Sequence, residues 1–114
     1  MAIEHYEFGR IRIDGQTYTS DVIIWPAGVD DSWWREERHS LCEADLEPIL
    51  SRDPEVLIIG TGARGVMAVP QDVEGYMEER CDEVYAERTE HACERYNELC
   101  DGPKRVVAGL HLTC

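Results

Sequence analysis

The glycine-rich segment at residues 60–65 is the first part of this sequence that suggests chemistry. Gly60, Gly62 and Gly65 fit the dinucleotide pattern G-x-G-x-x-G, and acidic residues follow about 20 positions later. That chemistry needs a helix directly after the glycines, so that its N-terminus meets the pyrophosphate. Only four residues separate Gly65 from Pro70, which leaves no room for such a helix. We therefore expect no dinucleotide and no other cofactor, and we interpret the glycines as a tight loop at a sheet edge.

A second candidate is the group Trp33, Trp34, Arg35 and His39, which gathers aromatic, cationic and titratable side chains within seven residues. One interpretation is the wall of a pocket for an anion or a small molecule. The other, more ordinary one is that a tryptophan fills the core, Arg35 pairs with a nearby carboxylate and His39 caps a turn. The spacing alone leaves both open.

The cysteines do not indicate a metal or a catalytic centre. Their number is odd and no C-x-x-C pair occurs, which argues against a disulfide framework or a zinc knuckle. Cys42 follows His39 by three residues and Cys114 follows His111 by three, but spacing cannot show that a thiol touches an imidazole. We assign no catalytic residue and no metal ligand. The cysteines are Cys42, Cys81, Cys93, Cys100 and Cys114.

The charge excludes two classes of partner. Twenty-four acidic and 11 basic residues give a net charge of −13, whereas proteins that bind nucleic acid present a basic patch. Nucleic acid and anionic membrane surfaces are therefore not expected. The first ten residues carry Glu4 and Glu7 and lack the apolar stretch of a signal peptide, so we expect a cytoplasmic protein.

The first half of the chain predicts a hairpin, a short helix and a buried strand. Residues 10–14 alternate in polarity, Asp14-Gly15 is a turn signal, and residues 17–25 form the returning strand. Residues 29–42 are expected to be irregular or a short strand. A helix is predicted over 45–52 with Asp45 as its N-cap, which places Pro48 in the first turn. The apolar run at 55–60 is typical of a strand covered on both faces.

The second half alternates between helices and strands. We predict helices at 72–81, capped by Asp72, and at 89–101, capped by Thr89, with strands at 83–87 and 105–112. Such alternation favours parallel pairing with right-handed crossovers, so the fold class is α/β in one domain.

With these segments in place, the chain resembles a small family of uncharacterised archaeal and bacterial proteins. This family also contains the adipogenesis-associated domain protein and mitochondrial complex I assembly factor 3. The matching stretches run in order through nearly the whole chain: 18–26, Trp34-Arg35, 39–41, Asp45-Leu46, 54–62, 92–97 and 105–114.

The resemblance implies a single three-layer α/β domain over residues 1–114, with a mixed central sheet and an N-terminal β-hairpin layer. The family has no established reaction, and its mitochondrial members act through protein contacts. It also implies a pocket between the glycine loop and residues 34–39. The expected ligand-binding residues are Trp34, Arg35, His39, Gly60, Thr61 and Gly62, with Arg35 facing the loop.

Two hypotheses for function follow. The first is a non-enzymatic protein-interaction or assembly domain with an unidentified protein partner, as a monomer or a homo-oligomer. The second is a domain, or an enzyme, that binds a small molecule or an anion in the expected pocket.

The acidity generates a prediction about salt. Self-repulsion among 24 carboxylates should destabilise the fold at low ionic strength, as in proteins of salt-loving organisms. The melting temperature should therefore rise when potassium chloride increases from about 0.01 M to about 1 M, because the Debye length falls from about 30 Å to about 3 Å. A flat or falling melting temperature, followed by circular dichroism, would contradict the halophile interpretation.

Overall fold

Eight strands and three helices form the part of the chain that the computed structural model describes, residues 1–37 and 39–114. The helices are α1 (Glu43–Leu50), α2 (Gln71–Glu78) and α3 (Thr89–Leu99). The strands are β1 (Ile3–Glu7), β2 (Arg10–Ile13), β3 (Gln16–Tyr18), β4 (Val22–Trp25), β5 (Gly28–Asp30), β6 (Val56–Thr61), β7 (Glu83–Glu87) and β8 (Val106–His111).

The main sheet is mixed and has the order β5-β4-β8-β6-β7. β6 pairs in parallel with both β7 and β8, and β4 runs antiparallel to both β8 and β5. The predicted parallel pairing of the second half is therefore confirmed. Because β8 lies between β4 and β6, the last strand of the chain joins the antiparallel part of the sheet to the parallel part.

The main sheet is the middle of three layers, as predicted. Every residue of β6 and of β8 is buried, because both faces of the sheet are covered. One face packs against α3 and the small sheet β1-β2-β3, through side chains such as Ile11 and Tyr96. The other face packs against α1, α2 and the segment that carries Trp33.

The N-terminal layer differs in detail from the prediction. Asp14 and Gly15 form the two-residue turn between β2 and β3, both with positive φ, as the hairpin turn requires. The returning strand predicted at 17–25 is instead two strands, β3 and β4, which belong to different sheets. β1 was not predicted, because only Ile3 of its five residues is buried and no apolar alternation marks it.

The predicted N-caps are wrong by one to three residues. α1 begins at Glu43 with Cys42 as its N-cap, so Pro48 lies inside the helix and not in its first turn. Asp45, the third residue of the helix, still contributes to capping. Its carboxylate accepts a hydrogen bond of 3.0 Å from the Cys42 N–H. The N-cap is Pro70 for α2 and Arg88 for α3, in place of Asp72 and Thr89.

The close packing of β8 yields a prediction with a matched control. A methyl group on Gly109 would lie 2.6 Å from Cδ1 of Ile49 and 3.0 Å from the Trp33 ring, whereas nothing lies within 4 Å of the corresponding position at Gly75 in α2. Gly109→Ala should lower the free energy of unfolding by about 1–3 kcal/mol through overpacking. Gly75→Ala should raise it by about 0.5–1 kcal/mol because alanine favours the helix. Urea denaturation checks both, and equal effects would contradict the packing described here.

Candidate functional site

A buried charged cluster lies where β8 ends and β4 begins. Asp21 directly precedes β4, which runs antiparallel to β8 with Val22 opposite Leu110. This register places Asp21 beside His111, the last residue of β8. Arg35 reaches the same point from the irregular segment between β5 and α1. Three elements that are distant in sequence therefore meet through these side chains.

The Asp21 carboxylate is the centre of the cluster. Its Oδ2 lies 2.6 Å from Nη1 of Arg35 and 2.8 Å from Nδ1 of His111, and its Oδ1 accepts the Leu112 N–H at 2.8 Å. The side chains are exposed by only 17% for Asp21, 6% for Arg35 and 3% for His111. Removing so many charged and polar groups from water is tolerable only because they bind each other.

The surroundings of Asp21 change its pKa in two opposing ways. Burial raises the pKa, while the hydrogen bonds from His111, the Leu112 N–H and Arg35, together with the Arg35 charge, lower it and outweigh the burial. The pKa of Asp21 therefore lies below its ordinary value, and the carboxylate is ionised at neutral pH.

Nδ1 of His111 lies between the two charged side chains, 2.8 Å from the Asp21 carboxylate and 2.9 Å from Nη2 of Arg35. With a proton on Nδ1, His111 donates to Asp21; with a lone pair there, it accepts from Arg35. Its Nε2 is buried with no hydrogen-bond partner among the described residues.

The two adjacent tryptophans have opposite environments. Trp33 is buried, donates its indole N–H to the Asp45 carbonyl at 3.0 Å and lies 4.9 Å from the Arg35 guanidinium carbon. Trp34 is 84% exposed. It lines a cleft of about 290 Å³ together with Asp21, Trp33, Arg35 and Glu36. The ion pair and the buried ring therefore hold a solvent-exposed indole at the rim of a shallow cleft.

The glycine loop is packed against the chain's own residues 113 and 114. Gly62 has φ +105°, and a side chain there would collide with the backbone of Cys114 at 2.2 Å. The Ala63 N–H donates to the Thr113 carbonyl at 2.9 Å, and the Val66 N–H donates to the Cys114 carbonyl at 3.0 Å. The close backbone approach that glycine permits is thus used by the segment that follows β8.

The six residues predicted to form one pocket occupy different places. Trp34 and Arg35 line the cleft. Gly60 is covered by Thr89 and Leu110, and Thr61 donates its hydroxyl to the Glu87 carbonyl at 3.0 Å. Gly62 contacts Cys114, and His39 is exposed with its carbonyl accepting the Ala68 N–H at 2.7 Å. A ligand-binding role for these residues is still a prediction.

Sequence reasoning missed Asp21 and assigned no structural role to His111. One signal was available for Asp21, since a charged residue immediately before a fully apolar strand must find a partner where that strand enters the sheet. His111 was considered only as a neighbour of Cys114. The antiparallel pairing of β4 with β8, which brings the two residues together, was not predicted.

Two further features of the described residues concern metal binding and membrane insertion. They contain no group of three or more His, Cys, Asp or Glu side chains arranged to hold a metal ion. None of their helices is both long and apolar enough to cross a membrane.

The fold and the sequence together define the class to which the chain belongs. The profile of the family described as "Protein of unknown function (DUF498/DUF598)" matches residues 3–111. The chain therefore belongs to this family, and the predicted resemblance is confirmed at that level.

Solved structures agree with this assignment. The conserved hypothetical protein PH1505 from Pyrococcus horikoshii OT3 is 31% identical, with a TM-score of 0.83 and all of both chains covered. The protein titled MT938 is 26% identical with a TM-score of 0.78, covering 99% of this chain and 98% of that one. A Bordetella parapertussis protein is also 26% identical, with a TM-score of 0.74 and coverage of 97% and 94%.

A shorter similarity links the chain to a curated enzyme. Over 69 residues it is 26% identical to the arginine biosynthesis bifunctional protein ArgJ of Mycobacterium leprae. The match covers 60% of this chain and only 17% of that protein.

The buried cluster predicts a loss of stability when the carboxylate is neutralised. Asp21→Asn keeps the size of the side chain but leaves the Arg35 charge buried without a counter-ion. We expect the free energy of unfolding at pH 7 to fall by about 3 kcal/mol. The exposed Asp31→Asn is the matched control and should change it by no more than about 0.5 kcal/mol.

The same variant should alter acid unfolding. Because the native pKa of Asp21 is lowered, the unfolded chain binds its proton first, and the stabilisation present above about pH 4 is lost as the pH falls below that value. The wild type should therefore lose stability more steeply than Asp21→Asn on acidification. Parallel curves of unfolding free energy against pH would contradict the ionised state of Asp21.

Proposed function

We propose that this chain is a non-enzymatic protein-interaction domain of the assembly-factor kind, and that its contact surface is centred on Trp34. The observation that carries the proposal is the 84% exposure of Trp34 beside a buried ion pair that fixes its position. Exposed tryptophans are frequent energetic centres of protein interfaces, because one rigid ring buries a large area on binding. A cytoplasmic location, expected from the sequence, is part of the proposal.

Trp34 does not stand alone. The large hydrophobic side chains that are exposed in the described chain are Phe8, Trp34 and Val66. Each belongs to a segment bound to residues 111–114. We call the surface formed by Phe8, Trp34 and Val66 the β8-end surface.

Phe8 lies in the turn between β1 and β2. The next residue, Gly9, donates its N–H to the Leu112 carbonyl at 2.9 Å. The turn is therefore attached to the segment that follows β8, and the Phe8 ring, 59% exposed, is presented beside that segment.

Val66 and Trp34 reach the same end of the sheet from other directions. The Val66 N–H donates to the Cys114 carbonyl at 3.0 Å, and Arg35, the neighbour of Trp34, lies against His111. Apolar side chains clustered at one end of a domain and left in water are typical of a surface that a partner covers.

The cysteine chemistry supports the non-enzymatic part of the proposal. The Cys42 thiol lies 3.7 Å from a carboxylate oxygen of Glu36. Burial and the charge of Asp45 raise its pKa, whereas a nucleophilic cysteine needs a lowered pKa. The resemblance to assembly factors that act through protein contacts supports the same conclusion.

A second candidate function, binding of an anion or a small molecule, is favoured by one observation. Nε of Arg35 is buried without a hydrogen-bond partner among the described residues, and Arg35 lines the cleft. Against this, Asp21 already neutralises Arg35, and Glu36 adds a negative charge to the cleft. Native mass spectrometry of the purified protein would support this candidate if a small molecule stayed bound to the wild type and was lost in Arg35→Lys.

The interaction proposal predicts that Trp34→Ser loses a partner without losing the fold. Both forms are immobilised, exposed to lysate of the source organism, and the captured proteins are quantified by mass spectrometry. At least one protein captured by the wild type should be depleted about tenfold or more with Trp34→Ser, because loss of a central aromatic contact costs 1.4 kcal/mol or more, roughly.

The control is Tyr76→Ser, which removes a partly exposed aromatic ring of α2 on another part of the surface. This variant should capture the same proteins as the wild type. Identical capture by the wild type and a folded Trp34→Ser, verified by circular dichroism, would refute the proposed contact surface.

A further inference from the structure

We propose that the β8-end surface binds an acidic segment of its partner, with Arg64 and Arg88 supplying the positive charge. This inference rests on the proposed function and adds the chemistry of the partner. Its starting point is the pairing of the basic side chains in a chain whose net charge is −13.

Almost every described basic side chain is already neutralised by a carboxylate within 4.0 Å. The two exceptions among the described residues are Arg64 and Arg88, both of them exposed. The neutralised pairs are Arg10 with Glu7, Arg12 with Glu4, Arg35 with Asp21, Arg52 with Asp30, Arg80 with Glu79, Arg95 with Glu87, Lys104 with Glu83, and Arg105 with Asp53.

The two exceptions lie together and beside Val66. Arg64 is in the glycine loop that follows β6, and Arg88 links β7 to α3. A methyl group on Gly65 would lie 3.2 Å from Cγ of Arg88, so the Arg88 side chain packs against the loop at the residue between Arg64 and Val66. The two unpaired arginines therefore adjoin Val66 of the β8-end surface.

One of the acidic side chains next to this site is already neutralised. Glu87, next to Arg88, is bound by Arg95 through contacts of 2.7 and 2.8 Å. Glu90, in the first turn of α3, is the next acidic residue along the chain. The start of that helix has no side-chain cap and contributes partial positive charge. Another acidic residue, Glu36, lies beside Trp34 in the cleft.

The positions of these charged and apolar side chains also determine the orientation of the bound segment. Its carboxylates would face Arg64 and Arg88, away from Glu36, and its apolar side chains would face Trp34 and Phe8. Arginine suits this role because its planar guanidinium can bind a carboxylate through two parallel hydrogen bonds.

Because the protein is strongly negative, an acidic segment can be directed to one site on its surface, whereas a basic segment cannot. A basic segment would be attracted to almost any part of a surface with an excess of carboxylates, so attraction alone would not locate it. Among the described residues, Arg64 and Arg88 are the basic side chains not already paired with a carboxylate, so an acidic segment would find unpaired positive charge beside them and an excess of carboxylates elsewhere. Repulsion from the rest of the molecule would therefore restrict it to this place.

The test uses fluorescein-labelled peptides with one common Leu-Phe-Leu centre, flanked on both sides by glutamates, by glutamines or by lysines. Fluorescence anisotropy measures their affinity for the wild type and for Arg64→Glu, Arg88→Glu, Arg80→Glu and Trp34→Ser. Arg80→Glu is the matched control, since it changes the net charge by the same amount at an exposed position just after the end of α2.

We expect the wild type to bind the glutamate peptide most tightly, despite its own negative charge. Arg64→Glu or Arg88→Glu should weaken that binding by about tenfold or more, and Arg80→Glu should leave the order of the peptides unchanged. Affinity for the glutamate peptide should fall as salt rises, because a local attraction is screened. General repulsion would give the opposite dependence on salt.

Three results would overturn the inference. In the first, the wild type binds the lysine peptide most tightly. In the second, Arg80→Glu weakens binding of the glutamate peptide as much as Arg64→Glu or Arg88→Glu does. In the third, the glutamate peptide shows no saturable binding up to about 1 mM. If a lysate protein needs Trp34 but is captured equally by Arg64→Glu and Arg88→Glu, the β8-end surface stands and the acidic partner does not. If no capture depends on Trp34, the proposed function itself fails.

Discussion

The Asp21 carboxylate is the contact on which one end of the molecule depends. It joins the start of β4, the end of β8 and the irregular segment that carries the two tryptophans, through Arg35, His111 and the Leu112 N–H. No apolar side chain could replace it, since a hydrophobic group would leave the Arg35 charge and the Leu112 N–H unsatisfied. The ionised carboxylate thus decides where residues 31–37 lie relative to the sheet.

A second constraint acts on the same end from the parallel strands. Thr89, the first residue of α3, accepts the Gly62 N–H at 2.9 Å and donates its hydroxyl to the His111 carbonyl. One buried hydroxyl therefore ties the glycine loop to β8, on the opposite side of that strand from Asp21. The two constraints together explain why residues 111–114 are held so firmly that three other segments can bind to them.

The sequence was sufficient for most of the architecture and for little of this site. Apolar runs located β6 and β8, which are buried at every position, and alternation or helical periodicity located β7 and the three helices. This reasoning failed at β1, whose exposed residues carry no pattern, and at residues 17–25, where a continuous strand-like composition hides a change of sheet. The N-cap of α1 was misplaced because Asp45 caps the helix from inside it, through its contact with the Cys42 N–H.

The site depended on contacts that no local pattern encodes. Arg35 was correctly singled out as a charge that needs a partner, but its partner Asp21 lies in another element and is brought to it by the β4–β8 register. The glycines of residues 60–65 indicated a close approach to backbone, and the group that approaches is the backbone of Cys114. Both signals were real, and in both cases the chain itself supplies the partner in place of a ligand.

The way in which its neighbours hold Trp34 in place has a consequence for the proposed binding. An exposed aromatic ring on a mobile loop loses much conformational freedom when a partner covers it, and that loss subtracts from affinity. Here the residues on both sides of Trp34 are immobilised, Trp33 by its hydrogen bond to Asp45 and Arg35 by Asp21. The ordering of this segment is therefore already completed during folding. A buried ion pair that contributes little net stability can still be favoured in such a fold, because it would present the indole to the proposed partner in one fixed position.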